Sequence, residues 1–204
     1  MWPVLCVAVI LAGCGEGPAQ RAQAQTQDSG GPLLEEQAAY DVTHYDLDVR
    51  VDPAARTLDG TLTVRAAATD TLDVLVLNLD RRLVVDRVWG EQRARTLPVE
   101  RRAGENQLWI SLAERARPGD TIEATVAYGG TPRVAPNPPW EGGFTWAQTP
   151  DGAPWVATSG QTAGADLWWP VKDHPSDEPD SMDIAITVPD TLMAASNGTL
   201  RDVH

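Results

Sequence analysis

The sequence predicts an all-β protein, an antiparallel sandwich or a curved open sheet. Three observations carry that prediction. Short segments alternate apolar and polar residues with a period of two. Breaks rich in Gly, Pro, Asp or Asn separate them. No stretch holds a convincing helical three-four spacing of apolar residues over about ten positions.

The first such segment is "VTHYDLDVRV", with Tyr45, Leu47, Val49 and Val51 on one side and His44, Asp46, Asp48 and Arg50 on the other. That pattern is a half-buried strand. The turn-rich "DPAARTLDG" and the alternating "TLTVRAA" then complete a hairpin. His44 falls on the polar side with no cysteine or second histidine nearby, so a solvated edge residue is expected rather than a ligand. Four more strands follow in "LDVLVLNL", "LVVDRVW", "NQLWISL" and "TIEATVAY", separated by breaks such as "AGEN" and "RARPGD".

From Tyr128 the texture changes. Trp140, Trp146, Trp155, Trp168 and Trp169 fall in a stretch dense in Gly and Pro. Loops crossing a sheet surface and pinned by indoles are expected, since each buried indole removes roughly 150–250 Å² from water. A stapled satellite core is favoured over an aromatic platform for sugar or peptide. Strands resume in "MDIAITVPD", and Asn197-Gly198 is a strong two-residue hairpin signal. Its second arm runs out at His204, so the β-domain, residues 39–204, is expected to be incomplete at its C-terminal end.

A formal charge of -13 over 204 residues excludes a nucleic-acid partner, because nothing here neutralises phosphates. "WPVLCVAVILAGCGEG" has the length of a secretory hydrophobic region and is too short to span a bilayer. Leu11-Ala12-Gly13-Cys14 resembles the lipobox of bacterial lipoproteins, although no Lys or Arg precedes the apolar run. Residues 1–13 are therefore read as a lipoprotein-type signal and Cys14 as the lipid attachment site. Cys6 lies inside the signal, which leaves the processed chain without a disulfide partner for Cys14. Residues 14–38, rich in Gln, Ala, Gly and Ser, read as a flexible tether. The expected location is outside the cytoplasm, lipid-anchored to a bacterial membrane on its periplasmic or cell-surface face.

The segment "LWWPVKDHPSDEPDSM" gathers carboxylates and one histidine, which raises the question of a metal. Asp173, Asp177, Glu178 and Asp180 are the residue types calcium prefers. Against this, Pro175 and Pro179 restrict the backbone, no calcium-loop spacing is present, and His174 has no partner at helical spacing. A structural corner is expected, with no metal.

One ordered set of motifs resembles the N-terminal domain of the aminopeptidase N family of zinc metallopeptidases. It comprises Gln161, Trp169-Pro170, Asp173-His174-Pro175, Val188-Pro189 and Ser196-Asn197-Gly198. Upstream, "YDLDVRVDPAARTLDGTLTVRA" is similar to that family's opening hairpin, so the likeness runs from about Tyr40 to His204. The resemblance implies that the Trp-Pro segment is a corner with tryptophans packed beneath it. It also implies that Gln161 accepts hydrogen bonds from the free amino group of a peptide substrate.

Neither the family's His-Glu-x-x-His helix nor its Gly-x-Met-Glu-Asn strand occurs here, and the histidines are only His44, His174 and His204. A catalytic zinc typically needs three protein ligands and an open position. No catalytic residue, metal ligand or cofactor is therefore expected in this chain. The expectation is a substrate-recognition and scaffold domain of a zinc aminopeptidase, truncated before its catalytic domain, where the zinc would reside. Its partners would be the peptide N-terminus, the catalytic domain of the same enzyme, and the membrane through lipid on Cys14. The alternative is a non-enzymatic, lipid-anchored β-domain that binds peptide or glycan through its Trp-rich loops.

Overall fold

The structure is a computed structural model, and it describes residues 29, 31–91, 95–102, 105–161 and 163–204. The signal segment, Cys14 and most of the expected tether lie outside the described residues. The chain forms α1 (Glu35–Ala38), β1 (Tyr40–Asp52), β2 (Thr57–Ala68), β3 (Leu72–Asn78), β4 (Leu83–Gly90) and β5 (Val99–Arg101). It continues through β6 (Gln107–Ala116), β7 (Thr121–Gly130), β8 (Gly143–Gln148), β9 (Pro154–Ser159) and β10 (Ser181–Thr187).

A five-stranded sheet has the order β10-β1-β2-β7-β4, and a three-stranded sheet the order β3-β6-β5. One apolar cluster joins the inward faces of both: Leu47, Val49, Leu62, Val64 and Val126 from the large sheet, Leu75, Leu77, Leu108 and Ile110 from the small one. The all-β class expected from the alternation is what forms, and of the two architectures expected, a sandwich or an open sheet, the sheets are open. The alternation of β1 changes phase once, because Val42 and Tyr45 are both buried. A bulge between Val42 and His44 supplies the extra residue that makes this possible. The β1–β2 turn rests on Asp52, whose carboxylate accepts the amides of Ala54 and Ala55 at 2.9 and 3.0 Å.

Several features differ from the sequence reading. β10 pairs with β1 in parallel, with Leu47 opposite Ile184 and Val49 opposite Ile186. β1 is therefore interior, and His44 is no edge residue: its Nδ1 lies 2.9 Å from Ser181 Oγ on β10. A parallel neighbour needs a long crossover, and here the irregular Trp- and Pro-rich segment provides it in place of a helix. Inside that segment β8 and β9 form a two-stranded hairpin, closed by "TPDGA" with Gly152 at φ 89°.

Part of the expected tether is ordered. α1 is docked by Gln37, 4 % exposed, whose Nε2 donates to Asn78 Oδ1 at 2.8 Å. Polar anchoring of this kind leaves no hydrophobic signal in the sequence. At the other end, Gly198 has the positive φ of a turn, 89°, but residues 188–204 form no strand and Met193, Leu200 and Val203 are exposed. The hairpin expected at Asn197-Gly198 is therefore not formed among the described residues.

Candidate functional site

The crossover from β9 to β10 carries every residue singled out near the Trp-Pro step. It is pinned to the sheets by backbone bonds: Asn78 and Val171 exchange N–H···O contacts of 2.6 and 3.0 Å, and Asp80 N–H donates to Asp166 O at 2.7 Å. Trp169, 7 % exposed, meets Tyr45 edge-on with centroids 5.0 Å apart. Trp168 packs against it at 6.2 Å, and the Trp168 carbonyl accepts the Tyr128 hydroxyl at 3.0 Å. Trp146 also packs on the core, whereas Trp140 and Trp155 are exposed. The indoles thus divide between stapling the crossover and facing solvent.

Lys172 holds the corner together. Its ammonium, almost wholly buried, pairs with the equally buried Asp177 carboxylate and donates to the Tyr40 carbonyl at 2.6 Å. The Lys172 amide donates to the Tyr45 hydroxyl at 3.0 Å. Asp177 in turn accepts the Val42 amide at 3.2 Å. Burial raises the Tyr40 and Tyr45 hydroxyls well above the ordinary phenol range, so both stay neutral donors and acceptors. The carboxylate group that suggested calcium is not assembled: Asp177 is spent on Lys172 and Val42, while Asp173 accepts Ser29 Oγ at 2.9 Å. Among the described residues no three His, Cys, Asp or Glu side chains converge where a metal could sit.

Sequence reasoning missed Lys172. The available signal was a lone lysine in an otherwise apolar "WWPV" corner, five positions before an aspartate and separated from it by a proline. It also missed Asp166. This carboxyl is buried and accepts Asn106 Nδ2 at 3.3 Å. Burial raises it to about 7, with Asp173 and Asp80 adding to the rise and Asn106 and Arg133 opposing it.

Gln161 lies just beyond β9, exposed, in a turn held by its backbone. Gly160 O accepts the amides of Ala163 and Gly164 at 3.1 and 3.0 Å. Gly164 has φ 84° and sits against the Asp173 carboxylate, so no side chain fits there. Gly142 is similarly tight against Ala163 and Leu167. The turn is therefore fixed without help from the Gln161 side chain, which makes no hydrogen bond among the described residues.

A family model described as the Peptidase M1 N-terminal domain matches residues 41–204. An M1 zinc metallopeptidase from Deinococcus radiodurans, solved with a Tyr-Ser-Ala substrate bound, superposes with a TM-score of 0.63 at 27% identity. That match covers 81% of this chain and 36% of that one. A further structure of M1 zinc metallopeptidase from the same organism gives 0.60 at 26% identity, over 87% of this chain and 40% of that one. Native yeast LTA4 hydrolase shares the fold, with a TM-score of 0.59 at 22% identity over 74% of this chain and 23% of its own. No curated protein matches. The chain spans little more than a third of the Deinococcus enzyme.

Proposed function

Since this chain belongs to the M1 peptidase N-terminal domain family, we propose that it is the recognition and scaffold domain of a zinc aminopeptidase. In this reading Gln161 receives the free amino group of a peptide substrate. A separate catalytic domain holds the zinc and cleaves the bond. The observation that carries the reading is the state of Gln161: an exposed amide with no partner among the described residues, on a turn that glycines and backbone bonds already fix. An amide carbonyl accepts from an ammonium donor, and its own NH₂ remains available to a neighbour.

A hydrogen bond to a charged group contributes about 1.5–3 kcal/mol. Gln161→Ala in an enzyme that contains this domain should therefore lower kcat/KM on free-amino substrates roughly 10- to 150-fold. The denaturation midpoint should not move, because the side chain supports nothing in the fold. Gln161→Glu should retain much of the activity. Wild-type kinetics in the alanine variant would show that the substrate amine is bound elsewhere.

Anchoring is proposed on separate grounds. Leu11-Ala12-Gly13-Cys14 precedes a hydrophilic stretch, which is the arrangement of a lipid-modified cysteine that begins the mature chain and tethers the domain to a membrane. Intact mass spectrometry of protein from a bacterial membrane fraction should show an acylated N-terminal Cys14. An unmodified N-terminus, or cleavage at another position, removes the anchor.

A further inference from the structure

Two buried ionisable groups flank the Gln161 turn without forming an ion pair. Arg133, 8 % exposed, precedes β8, and Asp166, 7 % exposed, follows the turn. The Arg133 side chain makes no hydrogen bond or ion pair among the described residues. Asp166 accepts Asn106 Nδ2 at 3.3 Å through one oxygen, and its other oxygen receives no donor among them.

Both groups are anchored to backbone that closes on the turn. The Arg133 carbonyl accepts the Phe144 amide at 2.7 Å, and the Phe144 carbonyl accepts the Ala135 amide at 2.9 Å. Gly143 is tight against this strap, and the adjacent Gly142 is tight against Ala163, Leu167 and the Ser159 carbonyl. On the other side, Gly164 abuts the Asp173 carboxylate, and the Asp166 carbonyl is held by the Asp80 amide at 2.7 Å. Residues 160–164 therefore touch one wall that carries Arg133 and another that carries Asp166.

The other charges around Asp166 are already committed. Asp80 pairs with Arg82 at 3.2 Å, and Arg101 donates to the Leu79, Asp80 and Leu83 carbonyls. Lys172 is held by Asp177, and Asp173 accepts Ser29 Oγ. Asp173 and Asp80 oppose ionisation of Asp166, whereas Arg133 favours it. A guanidinium buried without an acceptor is costly, and a carboxylate offers it a planar, charge-assisted pair. Loss of one proton from Asp166 supplies that acceptor.

We propose that Arg133 and Asp166 are positioning residues for Gln161: once Asp166 releases its proton, its carboxylate takes the Arg133 guanidinium and clamps residues 160–164 between the two walls. This deepens the amine-binding reading of Gln161 and rests on it. Asp166 titrates near 7, so the clamp is open in mildly acidic solution and closed above neutrality. The pair offsets only part of the cost of burying the charge, so the fold still loses stability as the clamp closes. A Gln161 amide on a closed turn meets the substrate amine already oriented; on an open turn it must be ordered first.

The test has two arms. In the whole chain, NMR follows the Arg133 Nε–Hε resonance, the Ala163 and Gly164 amides and the Asp166 carboxyl carbon across neutrality. In the wild type all should shift with one common midpoint. In Asp166→Asn the arginine and turn resonances should stay flat, and Arg133→Gln should raise the Asp166 midpoint. In an enzyme that contains this domain, KM for free-amino substrates should fall roughly 2- to 30-fold more across that titration in wild type than in Asp166→Asn. Turn amides that stay flat in wild type, or that still titrate in Asp166→Asn, overturn the clamp and leave the amine-binding reading standing. An equal pH dependence of KM in both enzymes overturns the positioning role. A titrating turn together with wild-type kinetics in Gln161→Ala overturns the amine-binding reading, and the positioning role with it.

Discussion

Replacing Lys172 with methionine is expected to destabilise the protein by roughly 3–5 kcal/mol. The substitution keeps much of the side-chain bulk but deletes the cation that neutralises Asp177, whose side chain is only 3% exposed. The Tyr40 carbonyl loses its donor at the same time. Total stability is about 5–15 kcal/mol for an ordinary domain, so this one corner holds a large share of it. The double variant Lys172→Met/Asp177→Leu should recover part of the loss, because no buried charge is then left alone. Recovery should stay incomplete, since the Val42 amide and the Tyr40 carbonyl are left without their side-chain partners. Urea denaturation of the three proteins decides the matter. A Lys172→Met variant within about 1 kcal/mol of wild type would mean that water reaches the Asp177 carboxylate.

The second large effect is a gain, and it depends on pH. Asp166 titrates near 7 in the folded protein because burial disfavours its charged form, whereas an unfolded aspartate titrates near 4. Between those values the folded state keeps a proton that the unfolded state has released, so stability falls as pH rises through this window. Below the window both states are protonated, and above it the loss is complete. Asp166→Asn keeps an acceptor for Asn106 and removes the titration. At pH 8 it should be more stable than wild type by on the order of 2–4 kcal/mol, and the advantage should vanish toward pH 4. Denaturation midpoints of both proteins across this range provide the measurement. Parallel profiles would show that Arg133 and solvent already stabilise the ionised form.

These two residues show where reading the sequence stops. Alternation identified β1, β2, β3, β4, β6, β7 and β10, because a strand with one wet and one dry face must alternate to be stable. It did not identify the three-residue β5, which is too short to show a period. It also missed the β8–β9 hairpin, whose Gly, Pro and Trp content hid the pattern. The Trp-Pro corner was legible through an ordered resemblance and through its prolines and tryptophans, while the role proposed for Gln161 came from the resemblance alone. Lys172 could have been noticed as a charge in an apolar corner, but no local rule supplied its partner.

By itself, then, the sequence determined the all-β class, the family, and the position of the crossover that carries Trp169 and Gln161. These follow from short-range periodicity and from motif order, both written along the chain. Only the tertiary structure decided that β10 returns parallel to β1, that Asp177 faces Lys172, that Asp166 is buried beside Asp80, Asp173 and Arg133, and that Asp46 faces Asp183. Each of these depends on which distant segments become neighbours. A charge or a strand edge has no fixed energetic meaning until its environment, wet or dry and paired or unpaired, has been set by the fold.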